Sequence, residues 1–239
     1  MNTLTKFSAI FLLLLTSSCF MDGIKGDRNV VTERRNITSN FEAIDVNQGI
    51  EVHLTIGDDV ELTVEADENL QEIITAEVKD GTLYIYAEKN IWSSKSRKVY
   101  VTAMGVNEIS TSSGAEVISE NTISSNDLKL NATSGSNVRL QLMVDNLNCS
   151  TTSGADAILK GRASNFKASS TSGGNINAKG LKTKSCKAKA TSGAGIYVNV
   201  SENLDAIATS GGDIKFIGHP KTVQKVVSSS GGIQNKQNN

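Results

Sequence analysis

The first residues in this chain to invite chemistry are seven Ser-Gly pairs: Ser113-Gly114, Ser134-Gly135, Ser153-Gly154, Ser172-Gly173, Ser192-Gly193, Ser210-Gly211 and Ser230-Gly231. Nucleophilic catalysis needs one activated hydroxyl with a base beside it. Here the serines recur alike, and the only histidines, His53 and His219, fall near opposite ends of the repeat array. Serine hydroxyls bonding turn backbone are the simpler reading. Two residues after each glycine stand Glu116, Asn137, Asp156, Asn175, Gly195 and Asp213. Calcium wants several converging oxygens, usually with more than one carboxylate. In this column an amide or a glycine separates each acid from the next, so Asn and Asp bonding along a ladder fit better. No metal and no other cofactor is expected.

Glycoside hydrolysis needs two carboxylates about 5 to 10 Å apart. Asp156 and Asp213 belong to repeats three apart, about 14 Å at the rise of a strand ladder. A lyase would set a basic residue beside a cluster of acids, and Arg139 and Arg162 have no such cluster in register. A non-enzymatic protein is therefore expected. The residues ahead of the Ser-Gly pairs include Thr133, Thr152, Thr171, Thr191 and Thr209. One such rank beside a turn is unlike the paired flat ranks of an ice-binding surface, but it could touch a ligand. So could Trp92, which could equally cap the first repeat.

Chance richness in Ser and Gly would not hold the spacing that positions these groups. Successive glycines lie 21, 19, 19, 20, 18 and 20 residues apart. Aligned on them, the position four before the serine reads Ile109, Leu130, Cys149, Ala168, Ala188, Ala206 and Val226, and the position two before it is always small. Three after the glycine come Val117, Val138, Ala157, Ile176, Ile196 and Ile214. Polar residues fill the gaps, which is the period of two that strands require. One repeat cannot bury its apolar face alone, whereas stacked repeats turn each column into an inward file. A propeller blade is twice as long, and leucine-rich repeats need more leucines and an Asn per copy. The expectation is an all-β fold: a parallel β-solenoid, right-handed by the crossover rule, with coils of about 20 residues and longer first coils. Cys149 and Cys186 fall in different inward columns two coils apart, too far for a disulfide, and should be buried free thiols.

Towards the amino terminus, Ile44 and Val46 precede Asn47-Gln48-Gly49, and Val52 and Leu54 follow it. Asp80-Gly81 is likewise followed by Leu83 and Ile85. Gly49, Gly81 and Gly114 lie 32 and 33 apart, which predicts coils in chain order with insertions near 65–74 and 88–98. The alternative is a small antiparallel sheet capping the stack. Residues 40–232 are read as one solenoid domain, 19–39 as a flexible tether and 233–239 as a polar tail that blocks the last edge.

The first residues carry a destination. Met1 to Lys6 is short and basic, residues 7–15 are apolar except Ser8, and Thr16-Ser17-Ser18 leads to Cys19. This is the layout of a secretory signal, and the apolar run is too short to span a bilayer as a helix. Small residues ahead of a cysteine resemble a lipobox, with Thr16 where Leu is usual. Residues 1–18 would be cleaved and Cys19 lipidated, tying the protein to a membrane of the cell envelope, expected to be the outer one. The formal net charge is −1, so nothing in the overall balance points to nucleic acid.

Several motifs, in order, are similar to those of the head GIN domain family of "putative auto-transporter adhesins": residues 41–46 (FEAIDV) followed by 49–52 (GIEV), 64–70 (VEADENL), 80–85 (DGTLYI), and the Ser-Gly repeats including 174–177 (GNIN). The likeness spans roughly residues 40–217. It implies a β-solenoid on exported proteins of Gram-negative bacteria and carries over no catalytic or binding residue. The function expected is a membrane-anchored, non-enzymatic binding or adhesion module, surface-exposed or periplasmic, with a cell-surface glycan or protein as partner. A self-assembling scaffold of homo-oligomers is the alternative, and a polysaccharide-active enzyme the third reading.

Overall fold

The computed structural model describes residues 23–37 and 39–236, so the signal region, Cys19 and the last three residues lie outside what it describes. Its strands are β1 (Gly23–Lys25), β2 (Val30–Arg35), β3 (Ala43–Val46), β4 (Glu51–Ile56) and β5 (Glu61–Asp67). A 3-10 helix (Glu68–Ile73) precedes β6 (Ile74–Lys79), β7 (Thr82–Ala87), β8 (Asn90–Ser93), β9 (Arg97–Ala103) and β10 (Glu108–Thr111). Then come the long strands β11 (Glu116–Ala132), β12 (Asn137–Thr151), β13 (Asp156–Ser170), β14 (Asn175–Thr191) and β15 (Gly195–Thr209), followed by β16 (Asp213–Ile217), β17 (Thr222–Val227) and β18 (Gly232–Asn235). No helix among the described residues is long and apolar enough to cross a membrane.

The repeats stack as a parallel β-solenoid. Ile109, Leu130, Cys149, Ala168, Ala188 and Ala206 pair rung to rung in one file, and all six are buried. Within β12, buried and exposed residues alternate from Asn137 to Val144, break at Asp145-Asn146, and resume from Leu147 to Thr151. Each coil therefore has a second corner opposite the Ser-Gly turn. Hydroxyls in the small inward column are paired rather than orphaned, as burial demands: Thr151 Oγ1 lies 2.7 Å from Ser170 Oγ, and Thr111 Oγ1 lies 2.9 Å from Ser136 Oγ.

The turn chemistry follows from backbone conformation. Ser113 and Gly114 have φ of 53° and 73°, and the next coils repeat this. With Ala115 N–H donating to Ser112 O at 3.0 Å, the turn is type I′. Nothing lies within 4 Å of where a Cβ on Gly114 would sit, so the positive φ is what calls for glycine there. That conformation aims the glycine N–H along the stack. Gly114 donates to Ser134 O at 3.1 Å and Gly135 to Ser153 O at 3.0 Å, and so on up the corner. The serine ladder acts through its carbonyls, while the hydroxyls of Ser134, Ser153 and Ser192 lie against the preceding threonine hydroxyl and not, as expected, against turn backbone.

Four sequence expectations need correction. First, the early coils are not in chain order. β3 lies between β7 and β10, and β4 between β9 and β11, so the chain lays down residues 43–56, adds 82–103 beneath them, and then continues above from 108. Asp80-Gly81, both with positive φ, closes the β6–β7 antiparallel hairpin and is not a coil corner. Second, most of the expected tether from Gly23 onward is structured. β2 pairs antiparallel with β5, which joins β9 of the solenoid sheet, and β6 pairs antiparallel with β7, together an antiparallel cap, while β1 pairs parallel with β8 in a separate two-stranded sheet. Third, the expected tail begins as β18, paired with β16. Fourth, the last turn is slipped by one residue. Ser229 and Ser230 hold the positive φ values, and Ala206 pairs with Lys225, not Val226. Val226 is 54% exposed.

Cys149 and Cys186 are free and buried, in different columns. Burial pushes each thiol up to about 12, with the Asp205 charge adding to the effect at Cys186. Thiolate is the reactive form, so neither cysteine should react with iodoacetamide at pH 8 in the native protein, and both should after unfolding in guanidinium. Native labelling at Cys149, read by peptide mass, would contradict the closed interior file.

Candidate binding groove

The corner opposite the Ser-Gly turns carries a ladder of polar side chains beside a groove. Asp127, Asn146, Asn165, Ser185 and Asn203 occupy one register position on successive rungs. Asn146 Nδ2 donates to Asp127 Oδ1 at 3.0 Å, Asn165 Nδ2 to Asn146 Oδ1 at 2.9 Å, and Asn203 Nδ2 to Ser185 Oγ at 3.2 Å. A primary amide has two donors and a two-lone-pair acceptor. Bonding along the ladder therefore leaves each amide with capacity to face outward, repeated at the rung spacing. The ladder forms one wall of a groove of about 920 Å³ running along the stack. Its floor is the inward column Leu128, Leu147, Phe166, Cys186 and Leu204, and its other wall includes Lys129, Asn148, Lys167, Lys187 and Asp205. At about 4.8 Å per rung, the span from Asp127 to Asn203 is roughly 19 Å.

Sequence reasoning placed an Asn and Asp ladder at the wrong column. The Glu116, Asn137, Asp156, Asn175, Gly195 and Asp213 positions do stack, but Glu116 is ion-paired with Arg139 at 2.5 Å, and Asn175 bonds the Gly173 carbonyl. The amide ladder sits seven residues before each serine, where the alignment already showed Asp, Asn, Asn, Ser, Asn. Its place at a corner could not be read from alternation.

The other candidates lie apart from the groove. Thr133, Thr152, Thr171, Thr191 and Thr209 are half-buried at the Ser-Gly corner, and Thr209 Oγ1 donates to Thr191 Oγ1 at 3.1 Å. Trp92, in β8, is 62% exposed. Its indole lies against Gly23, where a Cβ would come within 2.0 Å of Cδ1. Ile91, beside it, supplies the buried side chain. The structure does not bring Trp92 and the threonines to one site.

A further titratable group was not anticipated. His53 bonds Glu120 at 2.5 Å through Nδ1 and Glu51 at 2.7 Å through Nε2, and it stacks on Tyr100 with centroids 5.0 Å apart. Burial pulls Glu51 up, but the His53 bond and the Lys98 charge outweigh it and hold the carboxyl below its ordinary value. With both ring nitrogens engaged, His53 ties β4 to β11. Among the described residues no three His, Cys, Asp or Glu side chains group as metal ligands.

A family model described as "putative auto-transporter adhesin, head GIN domain" matches residues 40–220. The chain belongs to the head GIN domain family. Among solved structures, a "putative adhesin" from Bacteroides fragilis is 25% identical, with a TM-score of 0.82 over 89% of this chain and 100% of that one. A "putative lipid binding protein" from Parabacteroides distasonis is 21% identical, with a TM-score of 0.73 over 90% and 99%. A "putative adhesin" from Parabacteroides merdae is 20% identical, also with a TM-score of 0.73 over 90% and 99%. The last two share the fold. No functionally curated protein matches. Within this head GIN domain, the groove runs along five successive rungs.

Proposed function

We propose that this protein is a non-enzymatic binding or adhesion module of the cell envelope, held to the outer membrane through lipid on Cys19, and that it binds an extended cell-surface glycan along the groove. The observation that carries this reading is the amide ladder. It repeats donor and acceptor capacity at the rung spacing beside an apolar floor, which suits a hydroxyl-rich polymer and gives no group the converging partners that catalysis requires. The adhesin names of the family and of two of the similar structures support a binding role.

A panel of soluble glycans, assayed for binding and for product release, tests it. Asn146→Ala with Asn165→Ala should weaken binding about tenfold, from two net hydrogen bonds of about 1 kcal/mol each less compensation, and leave unfolding nearly unchanged because both side chains are exposed. Product release, or binding indifferent to this pair, would overturn the reading. The anchor is tested separately: Cys19→Ala should abolish incorporation of labelled palmitate.

One observation favours the scaffold alternative. On the last rung Val223 and Val227 continue inward columns and are 39% and 50% exposed, an open edge that a second copy could cover. Sedimentation over a concentration series decides it, since a monomer throughout removes the scaffold.

A further inference from the structure

Charge is distributed along this stack in a way that the net value of −1 conceals. Residues 23–127 hold nineteen Asp and Glu against nine Lys and Arg, whereas 157–201 hold eight Lys and Arg and no acid. Among the described residues, ion pairs are made by Arg34, Arg35, Lys79, Lys98, Lys129, Arg139 and Lys215, and by none of these eight. Lys179 alone has a ring partner, with Nζ 5.6 Å from the Tyr197 centroid.

Register sharpens the observation. Arg162 pairs directly with Lys182, and Lys167 with Lys187. Like charges opposite one another on adjacent strands destabilise a sheet, so this arrangement gains most from a bound polyanion. Lys167 and Lys187 stand on a wall of the groove. Arg162, Lys182 and Lys184 border a second depression of about 570 Å³ across the Ser164-Asn165 corner, with Asp145 at its edge bonded by Ser164.

We infer that residues 157–201 form a belt that binds an acidic polysaccharide, one bearing carboxylate or sulfate groups. This rests on the groove reading above and names the ligand's class. A planar anionic membrane reaches cations on one side of a corner, and these lie on both. Single-stranded nucleic acid sites pair basic grooves with stacking aromatics, and the aromatics of this span are Phe166, which is buried, and Tyr197, half-buried beneath Lys179. The neighbouring amides suit sugar hydroxyls.

The test measures binding of polygalacturonate, dextran sulfate, neutral dextran, an oligothymidylate and phosphatidylglycerol vesicles. It compares the wild type with Lys167→Glu/Lys187→Glu and Arg162→Glu/Lys182→Glu. The acidic glycans should bind, weaken as salt rises, and lose about tenfold or more with either reversal, while thermal unfolding at low salt stays level or rises. Tighter binding of the oligothymidylate or the vesicles overturns the inference, as does a change of oligomeric state on reversal with no effect on glycans. Neutral dextran bound through Asn146 and Asn165 and indifferent to the reversals leaves the groove standing and removes the belt. Acidic glycans bound through the lysines but indifferent to the asparagines do the reverse.

Discussion

Gly161→Ala is expected to lower the stability of the solenoid by about 2–5 kcal/mol. Gly161 pairs with Leu142 below and Leu181 above, and its φ is 106°. A Cβ there would lie 2.0 Å from the Leu142 carbonyl oxygen and 3.0 Å from Leu142 N. Those are backbone atoms held in the ladder, so they cannot swing aside as a side chain would. The substitution meets the left-handed penalty of roughly 1–2 kcal/mol and must also force β13 away from β12, an overpacking cost of about 1–3 kcal/mol. Gly135→Ala is the control, with φ of 69° and nothing within 4 Å of the added atom. It should cost only the conformational part. Urea unfolding of both variants separates the two contributions. Equal losses would mean that the rungs have room to spread and that the clash is not what conserves the spacing of β12 and β13.

Asp67→Ala should open the antiparallel cap while the upper coils remain folded. Asp67 ends β5 and is fully buried. Its carboxylate accepts the backbone N–H of Arg28 at 3.0 Å, of Lys95 at 3.0 Å and of Ser96 at 3.0 Å. One side chain thus gathers the β1–β2 connection and the β8–β9 connection onto β5. Gly26 makes room for it, since a Cβ there would fall 2.0 Å from Asp67 Oδ2. Removing the carboxylate strands three donors at about 1–3 kcal/mol each, so a loss of about 3 kcal/mol or more localised to the cap is expected. Solenoids open regionally because each coil contacts mainly its neighbours.

The same residue predicts an acid response. Burial alone pushes the Asp67 carboxyl up, but the backbone bonds from Ser96, Lys95 and Arg28, with the Arg28 charge, together hold it below its ordinary value. A carboxyl depressed in the folded state stabilises at pH above its unfolded value of about 4, and that contribution is lost as pH falls through the folded value. Protection of the amides of β1, β2 and the 93–96 connection, relative to the free chain at the same pH, should therefore fall below about pH 4 in the wild type, and already at pH 7 in Asp67→Ala. Protection there that is independent of both would show that the cap is held by other contacts.

The repeat was legible because identical spacing makes every copy report on the same interior. Once Leu130, Cys149, Ala168, Ala188 and Ala206 share an offset from a turn, stacking them is the one way to bury them all. The same alignment located the Ser-Gly turns, because only a few residue types accept two successive left-handed conformations. It failed at the seventh turn for that reason. Ser229 and Ser230 adopt the conformation instead, and Gly231 falls where a Cβ would lie 2.3 Å from the Ala208 carbonyl oxygen. Glycine is required in that coil for close approach and not for the turn. The amide ladder was visible as letters and invisible as a site, since a corner has no alternation to mark it.

Period, inward columns, Ser-Gly corners and the unpaired thiols were properties of the amino-acid sequence by itself, because they depend on what each residue can bury and which φ it tolerates. The interleaving of β3 and β4 between strands that come later in the chain, the antiparallel cap gathered by Asp67, and the groove beside Asn146 and Asn165 were decided only in the tertiary structure. A strand's pattern says which face goes inward but not which open edge it joins, and that choice is settled by the backbone hydrogen bonds and buried contacts of the whole assembly.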